Sequence, residues 1–267
     1  MAKATLNGVE LAYDDITPPG AAQRTVLLLH GYSSNRAEGW KRTGWYTAME
    51  RRGMRVIALD QRGHGESAKP HDPSAYGRLA LAADALALLD HLGVGRCDIF
   101  GFSMGTRTAL QLAIDAPHRV SNLILGGVGE KLMEPRGSEL PPDAMAEAML
   151  AEDPESITHP FLKSFRQFAD EQGEDRAALA AFTRADNPPL DRAAMGALPM
   201  PVLVVAGARD EGAGDPAGLA RLFPHGHGVT LPGCDHFSVI PHASLKATVF
   251  DFLDGVLGLD DEFPPFE

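Results

Sequence analysis

Apolar positions along this chain follow two spacings in alternation. Short, nearly unbroken apolar runs lie at residues 25–29, 55–59, 96–100, 120–125 and 201–206, with a shorter one at 228–231. Runs of strand length without polar alternation predict strands buried on both faces, as in a parallel sheet. Between them the apolar residues recur at helical spacing. Residues 78–92 put Leu81, Ala85, Leu88 and Leu92 on one stripe, with Gly93 as the stop. Residues 40–52, 106–114 and 245–257 read as further helices, and residues 5–13 as an opening hairpin that turns at Asn7 and Gly8. Such alternation predicts an α/β protein with a mostly parallel central sheet flanked by helices. The pattern breaks at about 129–198, where no strand is predicted, and resumes at 201. We therefore expect a single domain over 1–267 with a helical insertion at about 129–198. The tail from 260 to 267 is acidic and then proline-containing, and is expected to fray.

Candidate chemistry begins at Gly101, Phe102, Ser103, Met104 and Gly105, the pattern Gly-x-Ser-x-Gly. Its setting gives it weight, because a predicted strand precedes it and a predicted helix follows. A serine at the apex of a sharp strand-to-helix turn is a nucleophile elbow. The turn forces the serine backbone into a sparsely populated region, and the flanking glycines remove side chains that would collide across it. The hydroxyl then stands at the start of a helix, whose free N–H groups stabilise negative charge. A chance Gly-Ser-Gly loop would need neither the strand nor the helix.

A nucleophilic serine needs a base, a group that orients the base, and donors for the oxyanion. With a nucleophile elbow the chain order is Ser, then Asp or Glu, then His. Asp210 falls in the loop after the strand at 201–206, at its carboxyl end, where ligands bind in open α/β sheets. His236 falls in the loop after the strand at 228–231 and is the expected base. The rivals to Asp210 are its neighbour Glu211 and Asp235, which adjoins His236 but whose side chain is expected to point elsewhere. One oxyanion donor is the backbone N–H of the residue after the nucleophile, Met104.

The strand at 25–29 runs into His30, Gly31 and Tyr32, and the strand at 55–59 into Asp60, Gln61, Arg62, Gly63, His64, Gly65, Glu66 and Ser67. With these motifs in order, the chain resembles α/β-hydrolase-fold serine hydrolases of the His-Gly-x type, in a small, bacterial esterase-like branch. The resemblance covers essentially the whole chain. It implies that Tyr32 supplies the second oxyanion N–H, that His30 shapes its loop, and that the insertion is a lid. The Asp60–Ser67 stretch reads as a structural loop, with His64 a fold residue.

The insertion carries Met133, Met145, Met149 and Met195, and Phe161, Phe165 and Phe168 at i, i+4 and i+7. Such a stripe buries against something: it either roofs the serine or packs the cap onto the body. Phe102 and Phe237 flank the candidate catalytic residues and are expected in a mainly apolar pocket. Arg107, Arg166, Arg184 and Arg192 are the cations that a substrate carboxylate would need.

Bulk properties narrow the class. The chain has 267 residues, 44% hydrophobic and 22% charged, with a formal net charge of −12. That suits a globular α/β domain and gives no basic footprint for nucleic acid. Two cysteines make no disulfide framework, and no metal-ligand spacing stands out. The residues at 1–6 lack a signal-like apolar stretch and no span reaches membrane length, so a cytoplasmic protein acting on a small molecule is expected, with no membrane partner. The expected activity is hydrolysis of a carboxylic ester through an acyl-enzyme, without a cofactor. A carbon–carbon bond hydrolase, a lactonase or a perhydrolase would use the same triad. A hydroxynitrile lyase or a non-catalytic small-molecule receptor are further readings. The serine argues against dehalogenases and epoxide hydrolases of this fold, which use Asp.

Overall fold

The computed structural model describes residues 1–134 and 140–257. Among them, eight strands form one sheet: β1 (Ala2–Leu6), β2 (Val9–Ile16), β3 (Arg24–Leu29), β4 (Met54–Leu59), β5 (Cys97–Phe102), β6 (Val120–Gly126), β7 (Val202–Gly207) and β8 (Gly226–Leu231). Their order is β1-β2-β4-β3-β5-β6-β7-β8. β1 and β2 form the opening hairpin, β2 runs antiparallel to β4, and all later neighbours are parallel. The hairpin turns at Asn7 and Gly8, whose φ angles of 49° and 76° supply the two left-handed positions of a tight turn.

The period-two geometry of a strand divides the apolar runs between two layers. Leu27, Leu29, Ile57, Leu59 and Ile99 face one side. They pack there against α2 (Arg78–His91) and α3 (Met104–Asp115) through Leu88, Leu110 and Leu112. Val26, Leu28, Val56, Ala58 and Phe100 face the other side, against α1 (Trp45–Glu50) and α9 (Ala243–Leu253) through Trp45, Met49, Leu245 and Val249. Both faces are covered, which is why the runs show no polar alternation.

The helix expected at 40–52 is split. A turn closed by Arg42 N–H donating to the Ala37 carbonyl at 2.8 Å precedes α1, and Gly44, at φ 81°, breaks the chain between them. The last helix ends at Leu253 rather than 257. A short helix, α8 (Pro216–Ala220), capped by Asp215, was not foreseen between β7 and β8. The tail from 260 lies outside the described residues.

No strand occurs among the described residues of the insertion. It forms α4 (Ala144–Leu150), α5 (Pro160–Gln172), α6 (Arg176–Arg184) and α7 (Arg192–Gly196). Ala146, Met149, Phe165, Ala169, Leu179 and Ala180 make a small core of the helical cap. Met195 of α7 instead joins the core beside the sheet. The cap is tied to the body by polar contacts: the Glu174 carboxylate accepts from Gly65 N–H at 2.9 Å and from Asn35 Nδ2 at 3.0 Å.

From β3 the chain passes to β4 on one side, then returns to β5 on the other. The loops after β3 and β5 therefore part and leave a crevice at the carboxyl ends of the strands, the switch point where open α/β sheets bind ligands. The cap lies over this crevice: Phe165 and Phe182 pack on Tyr32, which follows β3.

Candidate active site

Ser103 stands between β5 and α3 with φ 52° and ψ −111°, a strained conformation for a residue with a side chain. Close packing holds it there. A Cβ at Gly101 would strike the Gly105 carbonyl, and one at Gly105 would strike the Leu29 carbonyl of β3. Both glycines are thus required by backbone approach. Ser103 N–H donates to Gly126 O at 2.8 Å, which fixes the turn against β6.

Two loops from distant parts of the chain bring polar groups to this serine. Beyond β7 and β8 the chain stays paired, with Ala208 N–H donating to Leu231 O and Arg209 N–H to Cys234 O, both at 2.8 Å. Asp210 and His236 consequently meet. His236 Nδ1 lies 2.7 Å from Asp210 Oδ2 and His236 Nε2 lies 3.0 Å from Ser103 Oγ. With the imidazole proton on Nδ1, the ring donates to the carboxylate and accepts from the serine hydroxyl. The Asp210 side chain is 4% exposed and that of His236 is 21% exposed, so the aspartate is shielded while the imidazole borders the cavity. Asp235 serves its own loop, accepting from Ser238 N–H at 2.8 Å, Ser238 Oγ at 2.7 Å and Phe237 N–H at 3.1 Å. These bonds hold its carboxyl below the usual aspartate range.

Tyr32 lines both cavities that border Ser103, and Met104 follows the serine as the first residue of α3. Among the described residues the backbone N–H of neither makes a turn or loop hydrogen bond with the protein. Tyr32 belongs to a turn closed by Ser34 N–H donating to Gly31 O at 3.2 Å, with Ser33 at φ 55°. His30 braces it. Its Nε2 accepts from Gln61 N–H at 3.0 Å, which puts the proton on Nδ1, and Nδ1 donates to Gly31 O at 2.8 Å. His64 is buried behind it, with its ring 5.2 Å from that of His30. The Asp60 carboxylate gathers Arg36 and Glu66 N–H, and its carbonyl accepts from Ser67 Oγ at 2.5 Å, so this loop is tied into the body rather than aimed at the serine.

Two chambers open at Ser103. The larger, about 370 Å³, is walled by Met104, Val128, Leu132, Met145, Phe161 and Phe182. The smaller, about 190 Å³, is walled by Gly31, Phe102, Phe168, Phe237 and Ile240. Tyr32, Ser103, Phe165 and His236 border both. Phe102 and Phe237 thus line the smaller chamber and not the larger. The stripe of Phe161, Phe165 and Phe168 runs across both, so it roofs the serine as well as packing the cap. Phe182 was missed by the sequence reading, since one aromatic among alanines in α6 makes no stripe. Ile240, in a turn, and Leu132, in the four-residue 3-10 helix Glu130–Met133, were missed because neither segment is long enough to show a period. Arg107 borders the larger chamber and donates to Leu132 O at 3.3 Å. Arg166 is buried in the cap on the Ala148 and Ala151 carbonyls, Arg184 lies 3.6 Å from Asp143, and Arg192 is on the surface. Among the described residues no cluster of three His, Cys, Asp or Glu side chains could hold a metal ion, and no helix is long and apolar enough to cross a membrane.

Comparison with known proteins agrees with this architecture. A family model described as alpha/beta hydrolase fold matches residues 24–155. The dihydrolipoyllysine-residue acetyltransferase component of the acetoin cleaving system of Pseudomonas putida is 32% identical over 247 residues, 88% of this chain and 64% of that protein. The sn-1-specific diacylglycerol lipase ABHD11 of Mus musculus is 37% identical over 171 residues, 63% of this chain and 52% of the lipase. This chain therefore spans less than two thirds of the length of these relatives. A solved structure of a thermophilic esterase from Thermogutta terrifontis superposes with a TM-score of 0.73 at 26% identity, covering 96% of this chain and 98% of the esterase.

Proposed function

We propose that this chain, which has the α/β-hydrolase fold, is a serine hydrolase cleaving carboxylic esters through an acyl-enzyme at Ser103. One observation carries the reading: a strained serine, an imidazole and a carboxylate are linked in a single hydrogen-bonded line at 3.0 and 2.7 Å. In this mechanism His236 takes the Ser103 proton as Oγ attacks the ester carbonyl, and Asp210 holds the proton on Nδ1 and stabilises the imidazolium. The N–H groups of Tyr32 and Met104 receive the oxyanion, which they bind more strongly than the planar carbonyl. His236 then protonates the leaving alcohol, and water, activated by the same imidazole, releases the acid.

The chambers supply the substrate class. An ester carbonyl at Ser103 has one arm in each chamber, and the walls ask for apolar arms of unequal size. Among the described residues that line the smaller chamber Glu38 alone carries a formal charge, and its carboxylate disfavours an anionic arm there. The esterase and the diacylglycerol lipase among the relatives accord with an ester substrate.

Turnover of p-nitrophenyl esters of increasing acyl length tests this directly. We expect a maximum at one chain length, and a fall in kcat of roughly 10⁴-fold or more in Ser103→Ala with the fold retained. Wild-type turnover in Ser103→Ala would sink the assignment.

A further inference from the structure

The turn from Gly31 to Ser34 is not self-sufficient. Ser33 holds φ 55°, and its hydroxyl is buried without a hydrogen-bond partner among the described residues, so its own side chain offers no compensation for the strain. A backbone in such a conformation persists where its surroundings over-determine it. On the body side the brace is His30, through Nδ1–H to Gly31 O at 2.8 Å. On the other side the brace is the cap. Tyr32 Oη–H donates to the Leu179 carbonyl in α6 at 3.0 Å. Its ring lies 5.7 Å from that of Phe182 and 6.0 Å from that of Phe165, both in the cap, and 5.8 Å from that of His64 in the body.

We propose that Tyr32 is a positioning residue through which the seated cap sets the direction of the oxyanion-binding N–H. This rests on the reading of Tyr32 N–H as an oxyanion donor. On that reading the residue has two ends with two tasks: its amide receives the oxyanion while its side chain is anchored in the cap. Burial pushes the phenol well above the usual tyrosine range, so the donor stays protonated at any working pH. Cap seating and oxyanion geometry then form one linked equilibrium. A cap displaced from the body withdraws the Leu179 carbonyl and two ring contacts together, and the turn loses the brace that opposes its strain. A seated cap restores the donor, so the transition state is stabilised when the cavity is covered.

Tyr32→Phe tests this, because it keeps the ring and deletes one hydrogen bond. Four quantities are compared with wild type: kcat and KM on the preferred p-nitrophenyl ester, the inhibition constant of an alkyl boronic acid, Tm, and amide hydrogen exchange over residues 31–34. The boronic acid forms a tetrahedral adduct and so reports on the oxyanion donors. We expect kcat and kcat/KM to fall together by roughly tenfold and the boronic acid to weaken by the same factor, with KM within about twofold. Exchange in the turn should quicken while Tm stays near the wild-type value. A residue that merely supports the fold would lower Tm and leave boronic acid binding per folded molecule unchanged. Unchanged exchange in the turn, or unchanged boronic acid affinity, would overturn the proposal. If the wild-type serine fails to react with a phosphonate ester, the catalytic reading fails separately, and exchange at residues 31–34 still decides whether the cap braces the turn.

Discussion

His30 and His64 lie fully buried behind the oxyanion turn, and burial pushes both imidazoles below the usual histidine range, His64 well below it. His64 Nδ1 faces the Arg62 carbonyl at 3.2 Å, while Nε2 is buried with no partner among the described residues, so a second proton would sit there unsolvated. The unfolded chain protonates these rings at about pH 6.5, whereas the folded chain resists. Below that pH the unfolded state holds more protons. Stability is therefore full above about pH 6.5 and declines on acidification, by up to roughly 1.4 kcal/mol per pH unit for each ring, until the folded state titrates. Urea unfolding between pH 5 and 8 should show this slope, and His64→Phe should remove about one ring's share of it. An unaltered slope in His64→Phe would contradict the account. At this scale the sequence was informative about residue type and chain order, less so about direction. Ser103, Asp210 and His236 were marked by their places after strands. That Asp235 turns back to cap its own loop follows from the Ser238 side chain and amide, a contact with no sequence signature beyond a nearby serine.

At the scale of elements, Glu174 makes several of the polar contacts that join cap and body. It follows α5, accepts from Gly65 N–H and Asn35 Nδ2, and burial raises its carboxyl despite those donors. Glu174→Ala leaves a buried N–H and an amide unpaired, each costing about 1–3 kcal/mol. We expect a loss of about 2 kcal/mol, a fall in Tm of roughly 4–8 °C for a chain of this size, and faster proteolysis within the cap. Unchanged Tm and unchanged cleavage would show that the clamp contributes nothing. The strands from β3 to β8 were legible to within a residue or two because burial wrote itself into apolar runs, whereas the hairpin expected at 5–13 extends from Ala2 to Ile16. The first helix was not legible, since Gly44 in a left-handed conformation splits a stretch whose composition reads as continuous. The five-residue α8 is too short to show a period.

For the whole molecule, the apolar pattern says that strands pair but not in which order. The return from β4 to β5 across β3, which opens the crevice, is a consequence of topology and not of any local residue. The two chambers depend on the same long-range arrangement, since their walls come from cap helices and from loops far apart in the chain. That Ser103, Asp210 and His236 come together was therefore readable from motifs, whereas the cavities that border them were not. The central claim is that Ser103 is a nucleophile activated by His236. Its most direct test is intact mass and peptide mapping after treatment with a p-nitrophenyl alkylphosphonate. The account predicts one equivalent of p-nitrophenol released per chain and one adduct, on Ser103, absent from Ser103→Ala. A folded protein that takes no adduct, or takes it on another residue, would contradict it.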